Sequence, residues 1–220
     1  MEIEIFECRY KKIFRLTDRV IAQLPGKITL ATTIQYISSL PKIAAQLRKH
    51  KIKVDYLKAN NTEHKAQVLG CSEFDFKGVK NVLYIGDGRF HPINIKMQFN
   101  GKVLAYNPLT EKLTEVTNSE IKKYKNWIRA NQIRFTNAKI VGVIISTKPG
   151  QRWKAFDKLT QTYKDKKFYF FVFDTVDLQQ LLNFSFIEVF VNTACPRLGL
   201  EDASQHRLPI INIGSLKPKI

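Results

Sequence analysis

The sequence predicts an α/β protein with two similar lobes. Each lobe is expected to be a parallel sheet flanked by helices, the second a pseudo-repeat of the first. Three observations carry this prediction. Runs such as Val141 to Ile145 and Phe168 to Phe173 are apolar on both strand faces, as buried parallel strands are. These runs alternate with amphipathic helical segments. The order strand, polar turn, helix, strand, further elements, cysteine occurs twice along the chain.

Taken in order, "KITLATTIQ" from Lys27 reads as the first strand. "SLPKIAAQLRKHK" follows as a helix, with Leu40, Ile43, Ala44 and Leu47 on one face. "IKVDYL" is the next strand, and the polar loop after it ends in "AQVLGC". "NVLYIGDGRFHP" runs from a strand through a turn to a helix beginning near Pro92, a residue suited to a helix first turn. "GKVLAYNPLTEKLTEV" reads as two short strands joined by an Asn-Pro turn. A helix from about Ser119 to Ala130 leads to the second lobe, so the expected domains are 1–134 and 135–220. There, "AKIVGVIISTKPGQ" is a strand and turn, Arg152 to Tyr163 a helix, and "KKFYFFVFD" a strand. A short helix near Asp177 then precedes "FIEVFVNTAC", a strand ending on a cysteine.

The chain has 220 residues, 44% of them hydrophobic, enough for one large or two small packed domains. No apolar run approaches a membrane span, and "MEIEIFECRY" lacks the basic-then-apolar layout of a signal peptide, so a cytoplasmic protein without a membrane partner is expected. Lys and Arg number 36 against 19 Asp and Glu, a net charge of +17. That excess has two readings: a solvated lysine-rich surface, or a face for polyanions. No RNA-recognition or zinc-finger pattern accompanies it, so nucleic acid is not expected on motif grounds although the charge allows it. The three cysteines, Cys8, Cys71 and Cys195, form no Cys-x-x-Cys pair, and an odd number argues against a disulfide framework.

Ligands of open α/β sheets bind beyond the carboxyl ends of the strands. Four loops fall there: Thr33 to Gln35, Gly86 to His91, Thr147 to Gln151 and Asn192 to Arg197. If the lobes pack as pseudo-repeats, these loops line one cleft and Cys71 faces Cys195 across it. Gly70 lets the backbone beside Cys71 approach something bulky. Cys71 and Cys195 are each open to a core or a ligand reading, and Cys195, fixed from behind by Pro196, also to a nucleophile reading. "GDGRFHP" is either a structural turn or a set of N–H groups for an anion, with Arg89 and His91 beside it. Lys148, Pro149 and Gly150 form a tight turn with Gln151 opening the next helix; it either caps that helix or reads a carboxylate or amide. His50, His64 and His206, in polar or charged surroundings, are expected to be solvated.

Together, "TTIQYISSLPKIAAQL", "QVLGC", "IGDGRFHP", "AYNPLT", "TKPGQ" and "VNTACPRL", in this order, resemble the diphthamide synthase family over nearly the whole chain. The resemblance implies three homologous α/β domains, each giving one cysteine to a single 4Fe-4S cluster. S-adenosylmethionine would bind the open iron, and an electron from the cluster would break the bond from sulfur to the methionine γ-carbon. The resulting 3-amino-3-carboxypropyl radical would add to C2 of a histidine on translation elongation factor 2, the first step of diphthamide biosynthesis. On this resemblance the chain is a 3-amino-3-carboxypropyltransferase, working as a homodimer or as a heterodimer with a paralogue.

Carried onto this sequence, Cys71 and Cys195 are the implied metal ligands. Gly88, Arg89, Phe90 and His91 form the implied cofactor-binding motif, Lys148, Pro149, Gly150 and Gln151 hold the methionyl group, and Arg197 follows the last cysteine. No further catalytic residue is assigned. The family's first domain, roughly 100 residues by ordinary domain size, has no counterpart here, and Cys8 in "FECRY" does not match its ligand. Within this frame Cys195 reads as an iron ligand rather than a nucleophile, since no histidine accompanies it as a base. Two alternatives stand beside the enzyme reading: a non-catalytic or electron-transfer partner subunit, and a basic ribosome- or RNA-associated module.

Overall fold

In the computed structural model, which describes residues 6–151, 155–202 and 208–216, the chain divides into two units, Met1–Ile121 and Lys122–Ile220. The first contains α1 (Asp18–Ile21), β1 (Lys27–Thr32), α2 (Leu40–Lys49), β2 (Lys53–Tyr56), β3 (Lys58–Ala59), β4 (Phe74–Asp75), β5 (Asn81–Ile85), α3 (Phe90–Gln98), β6 (Lys102–Asn107) and β7 (Lys112–Glu115). Its sheet has the order β2-β1-β5-β6-β7, parallel except for β7, which returns antiparallel beside β6. β3 and β4 form a separate two-stranded ribbon.

Helix α4 (Asn118–Asn137) contains the division between the units, which falls earlier than the 134/135 expected from sequence. The helix runs past Ala130 because Phe135 is a buried core residue and nothing before Asn137 breaks the periodicity. A capping box opens it: Thr117 Oγ1 accepts from the Glu120 N–H, and a Glu120 carboxylate oxygen accepts from the Thr117 N–H.

The second unit continues with β8 (Ile140–Ser146), α5 (Phe156–Thr162), β9 (Lys167–Phe173), α6 (Leu178–Leu181), β10 (Val189–Asn192) and β11 (Ile210–Asn212). Its sheet is parallel throughout, in the order β9-β8-β10-β11. That order matches β2-β1-β5-β6 strand for strand, so the two sheets share a topology. The cysteines do not share a position in it: Cys71 precedes β5, whereas Cys195 follows β10, the strand equivalent to β5. Among the described residues no helix is long and apolar enough to cross a membrane.

Packing explains why these segments fold as they do. α2 buries Leu40, Ile43, Ala44 and Leu47, the four positions whose spacing predicts it. Each larger side chain among them contributes about 1.5–3 kcal/mol by leaving water. β1, β5 and β8 are buried almost throughout, as central parallel strands are. β9 departs from the expectation of a buried strand. It lies at the sheet edge, and Phe170 and Val172 stand exposed.

Candidate metal centre

In the first unit the Cys71 turn is built onto the end of β1. The Thr32 N–H donates to the Ala66 carbonyl and the Val68 N–H to the Thr32 carbonyl, so Gln67 pairs with Thr32 as a short parallel extension. The chain then turns at Leu69 to Ser72, with the Ser72 N–H donating to Leu69 O. Ser72 is buried; its hydroxyl accepts from the Leu69 N–H and donates to Asn61 Oδ1 at 2.6 Å. The same Asn61 donates through Nδ2 to Cys71 Sγ at 3.3 Å. Cys71 itself is exposed. A thiol presented to solvent from a fixed turn, with an amide N–H on its sulfur, fits ligation of a metal; hydrogen bonds to sulfur are one means by which proteins tune iron–sulfur sites.

α3 clamps this turn from the other side. Asn94 donates to Gly70 O at 3.2 Å and Gln98, one helical turn later, donates to Ser72 O at 3.1 Å. The bulky neighbour of Gly70 is Phe90: a Cβ on Gly70 would lie 2.5 Å from Phe90 Cε1. "VLGC" and "GRFHP" therefore meet in space as one device. The helix begins at Phe90, two residues before Pro92, with Arg89 as its N-cap. Gly88 adopts φ +72°, which admits glycine without strain. His91 stacks on Tyr84, ring centroids 5.9 Å apart. Burial, opposed by a Thr33 hydrogen bond and aided by Asp87, raises the Tyr84 phenol above its ordinary value.

Arg89 is already engaged within the chain. It reaches Thr114 Oγ1 at 2.7 Å and both Glu120 carboxylate oxygens at 2.7 and 2.8 Å. Burial raises Glu120, but hydrogen bonds from Arg89 and from the Thr117 N–H more than reverse that, and its carboxyl lies below the ordinary range. Arg89 thus ties the glycine turn to β7 and the start of α4.

In the second unit the Cys195 turn rests on two asparagines paired in register at the ends of β10 and β11. Asn192 is buried; its Nδ2 donates to Cys195 O at 2.8 Å and to Asn212 Oδ1 at 2.7 Å, and its Oδ1 accepts from the Ala194 N–H. Asn212 donates to Pro196 O at 2.8 Å. Thr193 anchors the start of the loop through its hydroxyl to Ile144 O. Cys195 is half-buried, and Arg197 follows with the Leu200 N–H on its carbonyl.

The Lys148 to Gln151 segment is a turn at the end of β8, with the Gln151 N–H on Lys148 O and Gly150 at φ +78°. The helix expected from Arg152 has α5 as its described part, starting at Phe156, so Gln151 does not stand in the first turn of α5; residues 152–154 lie outside the described residues. All four sequence-predicted loops do follow strand carboxyl ends. His64 differs from expectation. It is half-buried and bonds Glu7 Oε1 at 2.6 Å in a small ion cluster with Arg9. His50 is exposed, and His206 lies outside the described residues. Among the described residues, the one group of three ligand-type side chains whose atoms converge is Glu7, Glu63 and His64, and no cysteine belongs to it.

The residues that sequence reading missed are the amides: Asn61, Asn94 and Gln98 around Cys71, and Asn192 and Asn212 around Cys195. Asn94 and Gln98 carried a usable signal, two amides four residues apart directly after "GDGRFHP". Asn61 and Asn212 carried none, since their partners are distant in sequence.

The family model for diphthamide synthesis proteins matches residues 5–217. The 2-(3-amino-3-carboxypropyl)histidine synthase of Pyrococcus horikoshii is 30% identical over 87% of this chain and 56% of its own length. That of Methanocaldococcus jannaschii is 27% identical over 84% and 49%. Subunit 1 of the Encephalitozoon cuniculi synthase is 26% identical over 84% and 54%. The crystal structure of Dph2 from Pyrococcus horikoshii superposes with a TM-score of 0.76 at 28% identity, over 88% of this chain and 57% of that one. A crystal structure of the same protein with a 4Fe-4S cluster gives 0.75. The chain spans about half the length of the curated relatives it matches.

Proposed function

The chain belongs to the diphthamide synthesis family, and from that membership we propose that it transfers the 3-amino-3-carboxypropyl group of S-adenosylmethionine to C2 of a histidine on translation elongation factor 2. The single observation carrying this reading is that both family-matched cysteines occupy turns fixed by side-chain amides at the carboxyl ends of parallel sheets. A bound 4Fe-4S cluster would supply the electron that opens the sulfur–carbon bond.

Cys71 and Cys195 hold iron. The Lys148 to Gln151 turn, whose Lys148 and Gln151 N–H groups are spent on Ser146 Oγ and Lys148 O, meets the methionyl end through the Gln151 side-chain amide, and Arg197, two residues after Cys195, is assigned to its carboxylate. Gly88, Phe90 and His91 are assigned to cofactor binding. Arg89 acts through Glu120 and Thr114, holding the glycine turn in place rather than reaching for a ligand.

The chain, reconstituted anaerobically with iron and sulfide, should add one aminocarboxypropyl group to elongation factor 2 when given S-adenosylmethionine and a reductant. Mass spectrometry of the histidine peptide reads this directly, and an unmodified peptide contradicts it. A second reading, a partner subunit, draws on relatives named as subunits 1 and 2 of such a synthase. Modification that appears only after a paralogue is added would favour it.

A further inference from the structure

The outer face of α4 carries charge of one sign. Glu120 is the helix's single carboxylate, and Arg89 and the Thr117 N–H already hold it. No further acidic residue follows until Asp157. Lys122, Lys123, Lys125, Arg129 and Arg134 lie on the helix and are exposed. Lys122, Lys125 and Arg129 stand at i, i+3 and i+7, in one row about 4.5 and then about 6 Å apart along the axis. Among the described residues none of these three makes an ion pair.

Helix stability does not account for the row. Cations spaced i, i+3 and i, i+4 repel one another. Lys122 and Lys123 also stand near the helix N-terminus, the positive end of the macrodipole. A face that only meets solvent gains by mixing the two signs, and this one forgoes that gain. The helix is meanwhile fixed from behind. Phe135 is buried, Trp127 donates to Gly199 O at 3.1 Å and Gln132 to Ser215 O at 2.7 Å. Among the described residues Ile133 is the one large apolar side chain of α4 left exposed, so the face has no apolar side to sink into a lipid surface.

We infer that the row Lys122, Lys125 and Arg129 is a binding face for single-stranded nucleic acid, whose phosphate backbone it tracks. Lys122 and Lys125 act on phosphate as point charges, and phosphate contacts carry no sequence information, so binding tolerates any sequence. A single line of cations suits one strand. Asn126, exposed beside Lys125, adds an amide for sugar or phosphate oxygens. The inference does not rest on the chemistry proposed above. Iron-free protein serves for its test, and the modified histidine peptide is read separately.

Fluorescence anisotropy with a short labelled oligouridylate measures the binding between about 50 and 200 mM salt. The dissociation constant should rise with salt. Lys122→Gln/Lys125→Gln/Arg129→Gln should lessen the log–log salt slope by about 2, since each phosphate contact on a single strand contributes about 0.7, and weaken binding roughly tenfold or more at the lower salt. Arg48→Gln/Lys51→Gln/Lys53→Gln removes three exposed positive charges from the end of α2 and the start of β2, and should leave affinity within about twofold. Crosslinking with 4-thiouridine needs no variant, and the adducts should fall on α4. Absence of binding, equal losses in the two triple variants, or crosslinks confined to other elements overturns the inference. So does polyglutamate that competes as well as unlabelled oligouridylate, which would assign the row to an acidic protein.

Discussion

A Cβ placed on Gly70 would stand 2.5 Å from Cε1 of Phe90, so the residue before Cys71 and the first residue of α3 are fitted to one another. Gly70→Ala must displace that ring or the turn. The expected loss is about 1–3 kcal/mol, as for other overpacked sites. Urea denaturation measures it, and iron content after reconstitution should fall in parallel because the ring and the Cys71 turn move together.

Asn61 touches both Ser72 and the Cys71 sulfur. Asn61→Ala removes a donor from the sulfur and an acceptor from a buried hydroxyl, a stability loss of about 0.5–1.5 kcal/mol. In a reconstituted protein the reduction potential should move to more negative values, since a lost hydrogen bond to sulfur disfavours the added electron. Spectroelectrochemistry reads that shift, and an unchanged potential would separate Asn61 from the metal.

Asn192 uses both ends of its amide while buried. Asn192→Ala leaves Asn212 Oδ1 and the Cys195 carbonyl each short of a donor, at a cost of about 1–3 kcal/mol. Denaturation should show that loss, and the amides of Ala194 and Leu198 should exchange faster than in the parent protein.

Arg89 and Glu120 give a pH signature. The Glu120 carboxyl lies below its ordinary value of 4.5, so its contribution to stability is present above that pH and is lost as pH falls through the lower folded value. Glu120→Gln should lose stability less steeply in that acid window than the parent. Near neutrality the difference should be about 0.2–1 kcal/mol, because both side chains are about a third exposed. Acid titration followed by circular dichroism compares the two.

Much of this architecture was legible in the sequence because it rests on local patterns. The spacing of Leu40, Ile43, Ala44 and Leu47 marks α2, and the two-sided apolar run at Val141 to Ile145 marks β8. β9 misled, since an edge strand that is aromatic on both faces has the same composition as a buried one. The ends of helices were also displaced: α4 runs on to Asn137 because tertiary burial of Phe135 extends it. At the candidate site the strand-end loops were readable, while the braces were not. Asn61 lies ten residues before Cys71 and Asn212 seventeen after Cys195, so only the folded sheet brings those amides to their turns.

Iron ligation by Cys71 and by Cys195, proposed above, is tested most directly by anaerobic reconstitution with iron and sulfide. The parent chain is expected to show a cluster absorption and a paramagnetic signal on reduction. Cys71→Ala and Cys195→Ala should each lose both signals, and Cys8→Ala should keep them. A Cys71→Ala/Cys195→Ala double variant that builds the same cluster, with the same spectrum and iron content, would contradict the account.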